Sequence, residues 1–160
     1  MKTNIKHRFL LPALIAALGL LPARPAAAQT FSTLHSFNAG SGITNGDGSF
    51  PLAGLILSGN TLYGTAQNGG SAGNGTVFRV NTDGSSFTNL HSFTAFVSST
   101  NSDGAWPRAS LLLSGTNLYG TAYEGGSSDC GTVFRVNTDG TGFTNLHNFP
   151  LVSGPYPTTN

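Results

Sequence analysis

Beyond residue 30 the apolar residues come in short bursts separated by clusters of Gly, Ser, Thr and Asn, and no burst carries the 3.6-residue period and caps of a helix. Residues 52–57 (LAGLIL) form an almost continuous apolar run, the pattern of a strand covered on both faces. SGNT at 58–61 predicts a tight turn into a second strand at 62–66, and a Gly-rich loop leads to a third at 76–80. NTDG at 81–84 is a hairpin signal, because Asn, Asp and Gly tolerate the positive φ that such turns need. A fourth strand follows at 87–93. Pro51 and Pro107 stand at the mouth of the first strand, where a missing N–H costs least. These four strands are called A, B, C and D below.

The whole pattern recurs. FSTLHSF at 31–37 returns as FTNLHSF at 87–93 and FTNLHNF at 143–149, so His35, His91 and His147 are spaced 91 − 35 = 56 and 147 − 91 = 56. Between 45–90 and 101–146, 31 of 46 positions are identical without a gap, which excludes chance. Four antiparallel strands at this period predict an all-β chain of tandem blades, β-propeller-like, with repeat units about 45–93 and 101–149. A linear β-solenoid or sandwich stack is the second choice. The flanking strand at 31–37 is a strand D, the offset with which a propeller closes its ring. A closed propeller takes roughly 4 to 8 blades, so two units make an incomplete array. The chain stops thirteen residues after His147, within a third connection at 150–160, and reads as a fragment or as a short protein that must self-associate to cover its end blades.

The phrases GLILSGNTLYGTA, NGTVFRVNTDG and FTNLHSF resemble the GloVer tandem-repeat family of secreted bacterial proteins with interchangeable C-terminal anchors. The resemblance covers nearly all of 31–149. It implies a secreted, propeller-like repeat and brings no catalytic residues with it; this chain departs from the family by its few repeats and by having no C-terminal anchor.

The first 28 residues have the three parts of a secretory signal peptide. Lys2, Lys6 and Arg8 precede an apolar run at 9–21, and Ala26, Ala27 and Ala28 offer a cleavage site before Gln29. The run is shorter than the about 20 residues that span a bilayer, so a membrane span is not expected, and the mature region 29–160 is placed outside the cell or on its surface. Cleavage removes four basic residues. Arg79, Arg108 and Arg135 then face six acids, a net charge of 3 − 6 = −3. A chain without lysine or a basic face is a poor partner for nucleic acid. Cys130, the one cysteine, leaves no internal disulfide and is read as a loop residue standing where the other copy has Asn74.

Candidate chemistry follows from how the copies differ. The A–B and C–D turns barely change, whereas the B–C and D–A connections diverge: Gln67-Asn68 becomes Tyr123-Glu124, and Ala72-Gly73-Asn74 becomes Ser128-Asp129-Cys130. Recognition usually lives on variable loops of a rigid scaffold. That side carries Phe50, Trp106 and Tyr123, rings that can stack on sugars or plug the blade edge, with Glu124 beside them. The expected role is a non-catalytic binding or adhesion module for an extracellular glycan or protein, with no resident cofactor. The alternative is a fragment of a propeller enzyme acting on polysaccharide, which needs paired carboxylates from Asp103, Glu124 and Asp129. Asp47 and Asp103 lie in Asn-x-Asp-Gly loops that suit either an Asx turn or a Ca²⁺ site short of carboxylates. A histidine in every copy points to packing and an inter-blade hydrogen bond rather than to catalysis or metal. Arg79 and Arg135 are expected to pair with Asp83 or Asp139, or to stack by their stems.

Overall fold

The computed structural model describes residues 30–38 and 44–151. The expected signal peptide with its cleavage site and most of the connection at 150–160 lie outside the described residues, as does 39–43 of the first variable connection.

Among the described residues the protein is all-β, with ten antiparallel strands and no helix. No helix there is long and apolar enough to cross a membrane. In the first copy, β1 (Asn45–Ser49) pairs with β4 (Asn68–Gly70), while β2 (Ile56–Ser58), β3 (Thr61–Ala66), β5 (Thr76–Asn81) and β6 (Thr88–Ser92) form a four-stranded sheet in the order β2-β3-β5-β6. The second copy holds β7 (Leu112–Ser114), β8 (Asn117–Ala122), β9 (Thr132–Asn137) and β10 (Thr144–Asn148), again as a meander. The two sheets do not close on themselves.

The C–D turn forms for the reason its residues suggest. Asn81 N donates to Ser85 O at 2.9 Å and Gly84 N to Asn81 O at 2.9 Å, and Asn137, Thr141 and Gly140 repeat both bonds. Asp83 Oδ1 accepts from the Ser85 amide at 2.9 Å and its hydroxyl at 2.6 Å, as Asp139 does from Thr141. These bonds hold both carboxyls below their usual value. No Arg–Asp ion pair within 4 Å forms among the described residues, although the charge of Arg79 adds to the lowering of Asp139.

Strand A departs from expectation. Instead of 52–57 only Ile56–Ser58 pairs, and in the second copy only Leu112–Ser114. Phe50 and Trp106 adopt φ of 55° just before their prolines, which turns the chain off the ladder, and Ala109 gives its carbonyl to the Thr65 hydroxyl at 3.3 Å. Nor is this run covered on both faces: Leu52, Leu55 and Leu57 are exposed, whereas Leu111 is buried. The segment at 31–37 is likewise not a strand; residues 30–38 join no ladder.

The core sits between the two sheets. Tyr63, Val77, Leu90 and Phe93 of the first meet Leu111, Leu118, Phe134 and Val136 of the second. Gly64 and Gly120 let each sheet's central phenylalanine lie flat across the neighbouring strand. A Cβ on Gly120 would stand 2.5 Å from the Phe134 ring, and one on Gly64 2.7 Å from the Phe78 ring.

Candidate functional site

The D–A connections anchor the variable side of each sheet, and an asparagine organises both. Asn101 donates to Thr94 O at 3.1 Å and Gly104 O at 2.6 Å and accepts from Gly104 N and Gly126 N, each at 3.0 Å. Asn45 repeats this on Asn38, Gly48 and Gly70. All four bonds of the amide are made, so the connection is stapled to the Gly-rich B–C loop. Gly104 follows at φ 101°, where an added Cβ would strike Thr132 and Ala122.

Asp47 and Asp103, two residues after these asparagines, are buried and accept from histidines. His91 Nε2 donates to Asp103 Oδ2 at 2.9 Å, and its ring stacks on Phe143 at 3.7 Å and 8°. His35 does the same with Asp47 at 3.0 Å and Phe87 at 3.7 Å. Strand D of one unit is thereby latched to the next. Burial by itself raises Asp103, but the donors from His91 and from the Thr94 hydroxyl and amide outweigh it and hold the carboxyl below its ordinary value. Because that carboxylate is ionised and can only accept, Nε2 carries the proton. Asp47 has a poorer shell. Asn38 offers its amide at 3.0 Å but no hydroxyl, so Asp47 Oδ1 stays without a partner among the described residues. His147 touches only the edge of Phe149 there.

Of the four residues singled out for binding, three come together. Ala105 and Glu124 exchange backbone bonds of 2.7 and 3.1 Å, Tyr123 N donates to Trp106 O at 3.3 Å, and Trp106 N donates to Asn74 O at 2.8 Å. Trp106, Tyr123 and Glu124 are thus fixed by the backbone at the junction of the two copies. Phe50 is not with them. It receives the Gln67 amide at 3.0 Å in the first copy and is 66% exposed.

Two further residues join the patch. The Arg108 guanidinium lies 4.0 Å above the Tyr123 ring, and Phe96 tilts against Trp106 at 6.3 Å. Arg108 could have been found from the repeat, because Leu52 becomes Arg108 where Gln67 becomes Tyr123, a paired change between otherwise similar copies. Tyr123 is 57% exposed even so, with one face under the cation. Trp106 adopts φ 55°, as Phe50 does at the equivalent position, a conformation where glycine is favoured, at a cost of about 1–3 kcal/mol.

The three acids do not share one surface environment. Asp103 is committed to the latch, and Asp129 Oδ1 accepts from Gly125 N at 2.9 Å. Glu124 alone keeps a carboxylate without a hydrogen bond among the described residues. Next to the aromatic patch in sequence, a cavity of about 680 Å³ opens beside the connection that holds Thr94, Asn101 and Ser102. Its lining is uncharged: hydroxyls and amides from these residues with Ser127 and Asn148, and an apolar wall of Ala95 and Val97.

Comparison with curated proteins finds no significant match. A family model described as the Gloeobacter/Verrucomicrobia repeat matches residues 22–160. With the match running through both sheets and the connections between them, the chain belongs to the Gloeobacter/Verrucomicrobia repeat family.

Proposed function

We propose that the protein is a secreted or cell-surface scaffold whose 56-residue units stack as propeller-like blades, and that it binds an extracellular carbohydrate without transforming it. The observation that carries the binding role is the Trp106–Tyr123 patch: an exposed tyrosine backed by Arg108 at 4.0 Å, beside a tryptophan held by backbone bonds. Flat rings suit the apolar faces of sugars, and the Ser102 and Ser127 hydroxyls of the uncharged cavity, next to the patch in sequence, are candidate partners for their oxygens. The blade reading is supported by strand starts: Ile56, Thr61, Thr76 and Thr88 precede Leu112, Asn117, Thr132 and Thr144 by 56 residues each (112 − 56, 117 − 61, 132 − 76, 144 − 88). Asp47 and Asp103 belong to the latch in this scheme rather than to Ca²⁺. The basic n-region, apolar run and Ala26-Ala27-Ala28 support export.

Retention on insoluble polysaccharides tests the binding role. Trp106→Ala and Tyr123→Ala should each weaken retention by about 1–3 kcal/mol, the scale of one well-packed aromatic anchor. Glu124→Gln should change little. A polysaccharide-cleaving enzyme would reverse that order, with product release lost in Glu124→Gln and binding kept.

A further inference from the structure

The first copy contains three Asn-Gly steps, Asn45-Gly46, Asn68-Gly69 and Asn74-Gly75, where the second has Asn101-Ser102, Glu124-Gly125 and Cys130-Gly131. An asparagine followed by glycine can close a five-membered ring on itself, because no Cβ hinders the glycine amide as it meets the asparagine side chain. Two groups must be at liberty: the side-chain carbonyl carbon that is attacked and the amide nitrogen that attacks. Folding withholds them at two of the steps. The Asn45 side chain makes all four of its hydrogen bonds, so turning toward Gly46 would undo the staple. Asn74 is buried and donates Nδ2 to Thr94 O at 2.6 Å, while the Gly75 amide donates to Gly69 O at 3.0 Å. Asn68 differs. Its side chain is half-buried and makes no hydrogen bond among the described residues. The repeat shows what leaves its glycine untied. In the second copy Gly125 N donates to Asp129 Oδ1 at 2.9 Å. Gly69 has nearly the same φ, 76° against 75°, but Gly73 stands where Asp129 does, and the carboxylate is missing.

We infer that Asn68 is a site of spontaneous covalent modification, converting to an acid through a succinimide shared with Gly69. Gly69 N bonds to Asn68 Cγ, and Nδ2 leaves as ammonia, carrying off the proton of the Gly69 amide. Water then adds to one of the two ring carbonyls and the C–N bond there opens, so the sequence consumes water and needs no oxidant or reductant. Opening at Cγ gives aspartate at position 68; opening at the backbone carbonyl gives an isoaspartyl link. The frame accepts the first product. Glu124 already carries a carboxylate at the equivalent place, its backbone paired with Ala105 as that of Asn68 is with Ser49. The second product adds a methylene to the main chain, which shifts residue 68 out of register with Ser49 and strains the neighbouring bond from Gln67 N to Phe50 O.

The modification is independent of the carbohydrate patch, and peptide mapping of the full chain reads it. The folded protein is kept in mildly alkaline buffer, where the attacking amide loses its proton more readily. Chymotryptic fragments are then followed by fragment-ion mass spectrometry for the exchange of an amide for an acid. Asn68 should convert first, with Asn45 and Asn74 slower by at least about tenfold, the factor of one net hydrogen bond. In urea the three rates should converge, since the unfolded chain keeps each Asn-Gly step and loses the bonds that hold two of them. Gly73→Asp supplies the carboxylate that Asp129 gives Gly125, at a position where Asp129 itself adopts φ 54°, so the variant should fold, with circular dichroism as the check. It should slow Asn68 by about tenfold and leave Asn45 unchanged. A methyltransferase that labels isoaspartate should mark the aged wild type at position 68 and leave aged Asn68→Gln unmarked there. Conversion of Asn45 or Asn74 as fast as Asn68 in the folded protein, or an undiminished Asn68 rate in folded Gly73→Asp, overturns the inference.

Discussion

Replacing His91 with alanine removes a hydrogen bond and a ring stack at once and leaves a buried carboxylate behind. The 2.9 Å bond to ionised Asp103 is worth about 1.5–3 kcal/mol, and the stack on Phe143 at 3.7 Å about 0.5–1.5 kcal/mol. Asp103 keeps the Thr94 amide and hydroxyl, which limits the cost of its desolvation. The expected loss is about 3 kcal/mol. His147→Ala is the internal control: the same residue in the same motif, but with only an edge contact to Phe149 at 5.0 Å, and it should fall within about 0.5 kcal/mol of the wild type. Urea unfolding reads the difference, with Trp106, the single tryptophan, as an intrinsic probe at the junction between the copies. At an m-value of about 1–3 kcal/mol/M the His91 midpoint should drop by roughly 1–3 M while the His147 midpoint stays. Equal losses at the two positions would show that the histidines contribute through their own strand rather than through the latch.

Three further outcomes follow from the same geometry. Asn38→Thr should stabilise the protein by about 1 kcal/mol, because it supplies Asp47 Oδ1 with the hydroxyl that Thr94 gives Asp103; thermal unfolding checks it, and Thr94→Val should shift the other way. Gly120→Ala should cost about 1–3 kcal/mol by forcing the Phe134 ring out of place, seen as a fall in the urea midpoint. Asp103 has a depressed folded pKa, so its contribution is present above its unfolded value of 3.8 and is lost as pH falls through the lower folded value. Acid titration of stability should therefore steepen below pH 3.8 and flatten in Asp103→Asn.

Strands B, C and D are legible in the sequence because the SGNT turn, the Gly-rich loop and the NTDG turn bound their short apolar bursts. Strand A is not, since the apolar run of 52–57 says nothing of the φ of 55° at Phe50 that keeps most of it off the ladder. The pairing of β1 with β4 escapes for a different reason: NGDGS and NGG have no β propensity, and the Asn45 amide rather than a side-chain pattern brings them together. The latch was open to discovery. The spacing 47 − 35 = 12 recurs as 103 − 91 = 12, yet the acids alone look like a calcium loop. At the proposed binding patch, Trp106, Tyr123 and Glu124 emerge from the divergence of the copies, while Phe50 shares with them only its loop side.

The binding role meets its most direct test in the fluorescence of Trp106 during titration with a panel of soluble neutral oligosaccharides. Stacking of a sugar on the patch predicts a saturable change for at least one member, lost in Tyr123→Ala and retained when the distant A–B turn is altered by Asn117→Ser. An unchanged signal across the whole panel, or a change that survives Tyr123→Ala undiminished, would contradict it.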